Sequence, residues 1–128
     1  MDLNEYQEKA MTTCMDSCDN FSYMMLNLVG EVGEFASKVA KQIRKDNLYI
    51  SRGQFNTYCC KRLDKKELGD FYTSLQKEAG DILWQLAGLC KVMGWTLEDV
   101  AQENLEKLAA RKAAGTIDGS GDGIIRDK

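Results

Sequence analysis

The sequence predicts an all-α fold, a four-helix bundle-type domain, from three observations. The chain has no proline, the residue that most often interrupts a helix. Its apolar residues recur at steps of three and four along several stretches, which is the spacing of one helix face. Capping residues and glycines stand where those stretches begin and end. At 128 residues we expect one domain, 1–128, whose core is completed by oligomerisation.

The first two predicted helices lie on either side of a break near residues 16–20. Asn4 can cap the first helix, which carries Tyr6 near its apolar face. The second helix is predicted from about Phe21 to Arg44. Its apolar positions are Met24, Met25, Leu28, Val32, Phe35, Val39 and Ile43.

A capping box opens the third predicted helix, because Asp64 can cap it and Glu67 stands three residues later. This helix is expected to run to about Met93, with Gly94 in the position that favours a left-handed residue. Its apolar positions are Leu68, Phe71, Leu75, Ile82, Leu86, Leu89 and Val92. Glycines within the same stretch indicate close helix packing or a kink; they are Gly69, Gly80 and Gly88.

A fourth helix is predicted from a Thr96 cap to about Ala114, where Gly115 ends it. Its apolar positions are Leu97, Val100, Leu105 and Leu108. Residues 46–63 are predicted as an insert loop with aromatic anchors, with a short hairpin as the alternative. Residues 115–128 are glycine-rich and are predicted as a flexible C-terminal tail.

Charge and hydropathy exclude two classes of partner. The net charge of −3 and the absence of a basic stripe argue against nucleic-acid binding. No apolar run approaches the roughly 20 residues that span a bilayer, so no membrane segment is expected. The first residues, Met-Asp-Leu-Asn-Glu, are acidic and polar, unlike a secretory signal, and a cytoplasmic location is therefore expected.

The histidine and cysteine content limits the chemistry. With no histidine, the chain cannot form a Ser-His-Asp triad, a zinc site built on histidine or a Glu-x-x-His di-iron site. Its five cysteines fit no zinc spacing; Cys14 and Cys18 could hold a metal from one helix, but reduced buried thiols are the stronger interpretation. A metal would therefore be held mainly by carboxylates, which favours hard cations.

Two acidic pairs supply such carboxylates. Glu31 and Glu34 are three residues apart on the second predicted helix, and Glu78 and Asp81 repeat the spacing on the third, so each pair shares one helix face. If the two helices are antiparallel neighbours, four carboxylates converge, and oxygen ligation of that density suits Mg²⁺ or Mn²⁺, with more than one ion expected. Acidic pairs also occur by chance on solvated helix faces, so the pairs alone are weak evidence.

Three segments strengthen the prediction: residues 27–35 (Asn-Leu-Val-Gly-Glu-Val-Gly-Glu-Phe), residues 77–86 (Lys-Glu-Ala-Gly-Asp-Ile-Leu-Trp-Gln-Leu) and residues 94–108, which contain Asn-Leu-Glu-Lys-Leu. In this order, and followed by a Gly-Ser-Gly-Asp tail, they resemble the MazG-type all-α nucleoside triphosphate pyrophosphohydrolases. The resemblance covers most of residues 21–126. The segment between the acidic pairs is longer here than is usual in that family, and the tail reaches its arginine less directly.

The resemblance implies a helical bundle, assembled as a homodimer or homotetramer, that cleaves between the α- and β-phosphates. It implies metal ligation by all four carboxylates. It also implies phosphate contacts from Asn104 and Lys107, with Arg111 one turn later on the same face. The tail residues Asp122 and Arg126 become candidate nucleotide contacts.

The sequence thus predicts a Mg²⁺-dependent nucleotide pyrophosphohydrolase that converts a (d)NTP to a (d)NMP and pyrophosphate with metal-activated water. Glu34 would orient or deprotonate the water, and Lys107 and Arg111 would stabilise phosphate charge. Trp84 is either a base contact or a core aromatic, with the aromatics of the insert as other candidates. Two alternatives stay open: a non-catalytic helical interaction or regulatory module, and a phosphoribosyl-ATP pyrophosphohydrolase-type enzyme.

Overall fold

The computed structural model describes residues 1–57 and 63–119. Within those ranges the chain forms four α-helices, a short 3₁₀ turn and a two-stranded hairpin. The helices are α1 (Leu3–Met11), α2 (Phe21–Arg44), α3 (Lys65–Val92) and α4 (Leu97–Ala114). The strands are β1 (Leu48–Ser51) and β2 (Gln54–Thr57), and the 3₁₀ turn is Asp16–Cys18. The all-α prediction is confirmed, and the hairpin is a small addition to it.

Side-chain caps begin the helices. Asp2, rather than the predicted Asn4, caps α1, so this helix begins two residues earlier than expected. The predicted capping box of α3 is present: the Asp64 carboxylate accepts from the Glu67 N–H at 2.8 Å, and Glu67 accepts from the Asp64 N–H at 3.0 Å. Thr96 caps α4 as predicted.

Glycines in the left-handed region end two of the helices. Gly94 follows α3 with φ 77° and Gly115 follows α4 with φ 75°. Both are conformations that residues with a Cβ rarely adopt.

A metal site on Cys14 and Cys18, the weaker of the two interpretations, required both thiols on one helix. Because α1 ends at Met11, Cys14 and Cys18 do not share a helix.

Part of the 46–63 insert is a hairpin rather than a loop. β1 and β2 pair antiparallel, with Leu48 opposite Thr57. Arg52 and Gly53 connect them with φ of 53° and 74°, and positive φ at both positions is the geometry that two-residue hairpin turns need. Leu48 is 1% exposed and packs into the core beneath the hairpin.

The helices α2 and α3 pack antiparallel along their length. Met24, near the start of α2, approaches Gly88, near the end of α3, whereas Phe35 packs against the apolar cluster formed by Phe71 and Leu75. This register is what the two acidic pairs need in order to meet. A second buried cluster lies where α3 is followed by α4, against α1, and consists of Ala87, Cys90 and Leu97.

A buried glutamine ties α1 to the rest of the fold. Gln7 donates from Nε2 to the carbonyls of Ala87 at 3.1 Å and Trp95 at 3.2 Å. Its Oε1 accepts from the Leu97 N–H at 2.8 Å. One side chain thus satisfies three backbone groups where α3 turns into α4.

Some apolar side chains that the periodicity assigned to the core are exposed. Val32 is 51% exposed and Leu105 is 62% exposed. On the neighbouring face of α2, Leu26 and Val29 are exposed as well. Among the described residues, no helix is both long and apolar enough to cross a membrane.

Candidate metal centre

The antiparallel packing of α2 and α3 brings three carboxylates together. Glu31 of α2 and Glu78 and Asp81 of α3 each offer an oxygen, and these three atoms all lie within 4.8 Å of one another. Opposite ligands around Mg²⁺ lie about 4.2 Å apart, so small rotamer changes would bring all three oxygens onto one ion. Oxygen-only ligation of this kind fits a hard divalent cation.

The predicted fourth carboxylate, Glu34, is exposed and is not one of the three converging groups. It lies one turn further along α2, and its charge contributes to raising the pKa of Glu31. Glu34 is therefore close enough to act on the cluster electrostatically while its side chain remains in solvent.

The cluster is electrostatically strained. Burial, and then the charge of Asp81, raise the pKa of Glu31, with smaller contributions in the same direction from Glu78 and Glu34. A hydrogen bond from Asn27 opposes these effects by stabilising the carboxylate. A divalent cation would relieve the repulsion that the protein leaves uncompensated.

A lysine supplies part of the missing positive charge. The Nζ of Lys38 lies 3.5 Å from Oε2 of Glu78, and the Glu78 side chain is only 17% exposed. Lys38 also lines a cleft of about 400 Å³ between α2 and α3, beside Lys41 and Phe71. Lys38 therefore connects the cluster to this cleft, although none of the three carboxylates lines it.

Two side-chain amides support the cluster from within the helix contact. Nδ2 of Asn27 donates to Oε2 of Glu31 at 3.3 Å and to Oε1 of Gln85 at 2.7 Å. Gln85 is 1% exposed. Neither residue, nor Lys38, was predicted from the sequence as part of the site. Asn27 could have been found by its i,i+4 spacing from Glu31, and Gln85 by being a polar residue within an apolar stripe.

Tyr6 of α1 is close enough to the cluster to be affected by the charge of Asp81. Burial, and then the charge of Asp81, raise the pKa of Tyr6. Tyr6 was predicted on the apolar face of its helix, and it packs against the second buried cluster as expected.

The residues predicted on α4 are not among the three converging carboxylate ligands. Asn104 and Lys107 line a shallow depression of about 610 Å³ on the surface of α4. In residues 1–57 and 63–119, neither makes a hydrogen bond or ion pair with the three carboxylates. Arg111 is half-buried near the end of the same helix, where its carbonyl accepts from the Thr116 N–H at 2.9 Å. Asp122 and Arg126, predicted as nucleotide contacts, lie outside the described residues.

The side chain of Trp84 connects α3 to the end of α1 and the residues that follow it. Its indole N–H donates to the Ala10 carbonyl at 3.1 Å and to Oγ1 of Thr13 at 2.9 Å. Phe55 of the insert packs on Phe71 and Tyr72, with ring centroids 6.1 and 6.2 Å away. Both contacts favour a packing role for these aromatics, and Tyr58 lies outside the described residues.

Comparison with known proteins identifies the family of the chain. Residues 19–115 match the family described as the MazG nucleotide pyrophosphohydrolase domain, and this span contains all the predicted metal ligands. The chain belongs to the MazG nucleotide pyrophosphohydrolase family. The chain is also 35% identical over 130 residues to the Gene 37 protein of Mycobacterium phage L5, a match that covers 95% of this chain and 98% of that protein. No solved structure matches the chain significantly.

Membership of the MazG family is consistent with a metal-binding role for the acidic cluster. MazG enzymes are typically metal-dependent and act on nucleotides, and the clustered carboxylates of α2 and α3 offer the oxygen ligands that a hard metal needs. The name of the phage protein adds no information about substrate.

Proposed function

We infer that this chain is a Mg²⁺-dependent nucleoside triphosphate pyrophosphohydrolase, with Mn²⁺ as an alternative metal. It converts a (d)NTP and water to a (d)NMP and pyrophosphate. The observation that carries the proposal is the convergence of Glu31, Glu78 and Asp81 in a chain of the MazG family. The reaction needs phosphate charge to be neutralised and water to be activated, and a carboxylate-held metal supplies both.

In this proposal the three clustered carboxylates hold the metal and Glu34 acts on the water. Glu34 is exposed one turn from Glu31, so its carboxylate is free to orient the water and accept its proton. The chain has no histidine that could serve as the base instead. A carboxylate base beside a divalent cation suits this reaction because the metal lowers the pKa of the water.

The phosphate tail is assigned to the polar face of α4. Asn104, Lys107 and Arg111 follow the i, i+3, i+7 spacing of one helix face, which suits contact with an extended anion. Because Asn104 and Lys107 are not bonded to the carboxylates in the described part of the chain, they would contact substrate rather than hold the ligands. Asp122 and Arg126 of the tail complete the predicted nucleotide contacts.

A substrate screen with product analysis tests the proposal. Purified protein is incubated with each dNTP and NTP, with Mg²⁺ and separately with Mn²⁺, and the products are separated by ion exchange. We expect a nucleoside monophosphate and pyrophosphate in equal amounts; a diphosphate and orthophosphate would place cleavage at the wrong anhydride. Absence of turnover with every nucleotide and both metals would favour the helical interaction or regulatory module.

Matched variants connect the activity to the cluster. Glu78→Gln keeps the side-chain shape but removes the ligand charge, and is expected to abolish turnover. Glu8→Gln makes the same change on the exposed face of α1 and is expected to leave turnover intact. Phosphoribosyl-ATP is tested in parallel. Turnover of this compound alone would identify the chain as a phosphoribosyl-ATP pyrophosphohydrolase-type enzyme.

A further inference from the structure

The buried amide of Gln85 has a fixed orientation. Its Nε2 donates to the backbone carbonyl of Met24 at 3.4 Å and lies at the same distance from the Met24 sulfur. A backbone carbonyl can only accept, so it requires the nitrogen end of the Gln85 amide. Oε1 of Gln85 must then point the other way, towards Asn27, at 2.7 Å.

This orientation determines which end of Asn27 faces the acidic cluster. Because Oε1 of Gln85 can only accept, it requires the Nδ2 end of Asn27. Nδ2 carries two hydrogens, and the second is available to Oε2 of Glu31 at 3.3 Å. Nδ2 of Asn27 is therefore the donor to both sides: one hydrogen bond goes to Gln85, which donates in turn to the Met24 carbonyl, and the other goes to the candidate metal ligand Glu31.

The consequence falls on Glu31. An Asn27 amide turned end for end would present its carbonyl oxygen to a carboxylate, and the two acceptors would repel. With Nδ2 presented, Oε2 is held and Oε1 stays available to a cation. We propose that Asn27 and Gln85 are positioning residues that hold Glu31 in its ligating orientation, an inference that rests on the proposed function. Neither residue contacts substrate in this proposal.

A simpler role would be to join α2 to α3 without influence on the metal. Both roles predict that Gln85→Leu destabilises the protein, because Asn27 loses its buried acceptor. They differ for the double variant Asn27→Leu with Gln85→Leu. Replacing both partners with apolar groups removes the unsatisfied amide and restores much of the stability, but it does not restore the hydrogen bond to Glu31.

The test measures two quantities on nucleotide-free protein. Mn²⁺ affinity is obtained from the electron paramagnetic resonance signal of free Mn²⁺, and stability from urea unfolding in EDTA. We expect Mn²⁺ affinity about 10–100-fold below wild type in the single and the double variant, since losing a partner of a ligand typically has that effect. Stability should recover in the double variant. If affinity recovers together with stability, or if Gln85→Leu binds Mn²⁺ as tightly as wild type, the inference is overturned.

The chain contains a matched control. Nδ2 of Asn47 donates to Oε1 of Gln42, also at 2.7 Å, at the opposite end of α2 and without contact to the carboxylates. Replacing this pair with two leucines should leave Mn²⁺ affinity at the wild-type value; a comparable loss there would mean that any helix-end amide pair matters, and would overturn the inference. Wild-type protein that binds Mn²⁺ but releases no pyrophosphate would contradict the proposed reaction alone, because these measurements use no nucleotide.

Discussion

Glu31 combines burial, acidic neighbours and one hydrogen-bond donor, and the net result is a raised pKa. Between its ordinary pKa of about 4.3 and the raised value, the folded chain holds a proton that the unfolded chain releases. The contribution of Glu31 to stability is therefore present below the unfolded pKa and is lost as pH rises through the folded pKa. A divalent cation bound in the proposed site would reverse this loss by stabilising the ionised form.

The variant Glu31→Gln tests this sign, because glutamine resembles the protonated side chain. In EDTA we expect it to match wild type near pH 4 and to become the more stable protein as pH rises towards about 7. Urea unfolding of both proteins across this range measures the difference. A difference that stays constant with pH would contradict the raised pKa, and the variant should in any case lose Mn²⁺ affinity.

Glu34 is predicted to serve the water rather than the metal. Glu34→Gln should lower kcat by about 10²–10⁴-fold, the usual contribution of a general base, while Mn²⁺ affinity changes far less than in Glu78→Gln. Steady-state kinetics and Mn²⁺ titration of the two variants measure this contrast. Equal losses of Mn²⁺ affinity would instead make Glu34 a fourth ligand.

The sequence predicted the three clustered carboxylates but none of the side chains that support them. Helix spacing relates residues of one helix, and Glu78 and Asp81 are related in that way. Lys38 and Gln85 reach the cluster across the contact between two helices, so their roles depend on the register of α2 against α3. Periodicity gives the apolar face of each helix but not this register.

At the scale of elements, the helix bounds were predictable because capping is local chemistry. The predicted ends of α2 and α4 agree with the structure, and the capping box located the start of α3. The hairpin was only an alternative, because Arg52 in the left-handed region is an uncommon turn residue.

Of the three glycines within α3, one marks a close helix contact. A Cβ on Gly88 would clash with the sulfur and terminal methyl of Met24, which is fully buried and cannot move into solvent, whereas a Cβ on Gly69 would meet nothing within 4 Å. Gly88→Ala should therefore destabilise the protein by about 1–3 kcal/mol through overpacking. Gly69→Ala should stabilise it by up to about 1 kcal/mol through helix propensity.

Urea unfolding of the two glycine variants measures both changes. They exchange the same two residue types in the same helix, so helix propensity alone predicts a gain for both. A gain in Gly88→Ala equal to that in Gly69→Ala would show that Met24 repacks without cost, and that the two helices are not held at a fixed distance by this glycine.

For the whole molecule, the exposed apolar side chains indicate a partner surface. Leu26 is 75% exposed, and Leu105, predicted for the core, is also exposed. The periodicity of apolar residues identifies a helix face that is favourable to bury. It does not determine whether that face is buried within the same chain or against another copy. The predicted homodimer or homotetramer would explain why these positions are apolar.

Light scattering coupled to size exclusion tests the assembly. We expect a mass two or four times the 14.4 kDa of one chain. Leu26→Lys should shift the mass towards one chain, because a buried unpaired charge is costly at an interface. Lys66→Leu, which alters an exposed position already paired with Asp70, serves as the control for surface changes. A wild-type mass of one chain would contradict the prediction.

The hydrogen bonds of Gln7 mean that the unit recognised by sequence comparison is shorter than the unit that folds. The family match begins at residue 19, yet α1 precedes it and satisfies backbone groups of Ala87, Trp95 and Leu97. A chain trimmed to the matched residues would lose all three hydrogen bonds, at about 1–3 kcal/mol for each group that stays buried without another partner. The boundary of the family match is therefore too short for folding, and a fragment chosen by it should be recovered aggregated or unfolded, whereas the match to the phage protein covers 95% of the chain.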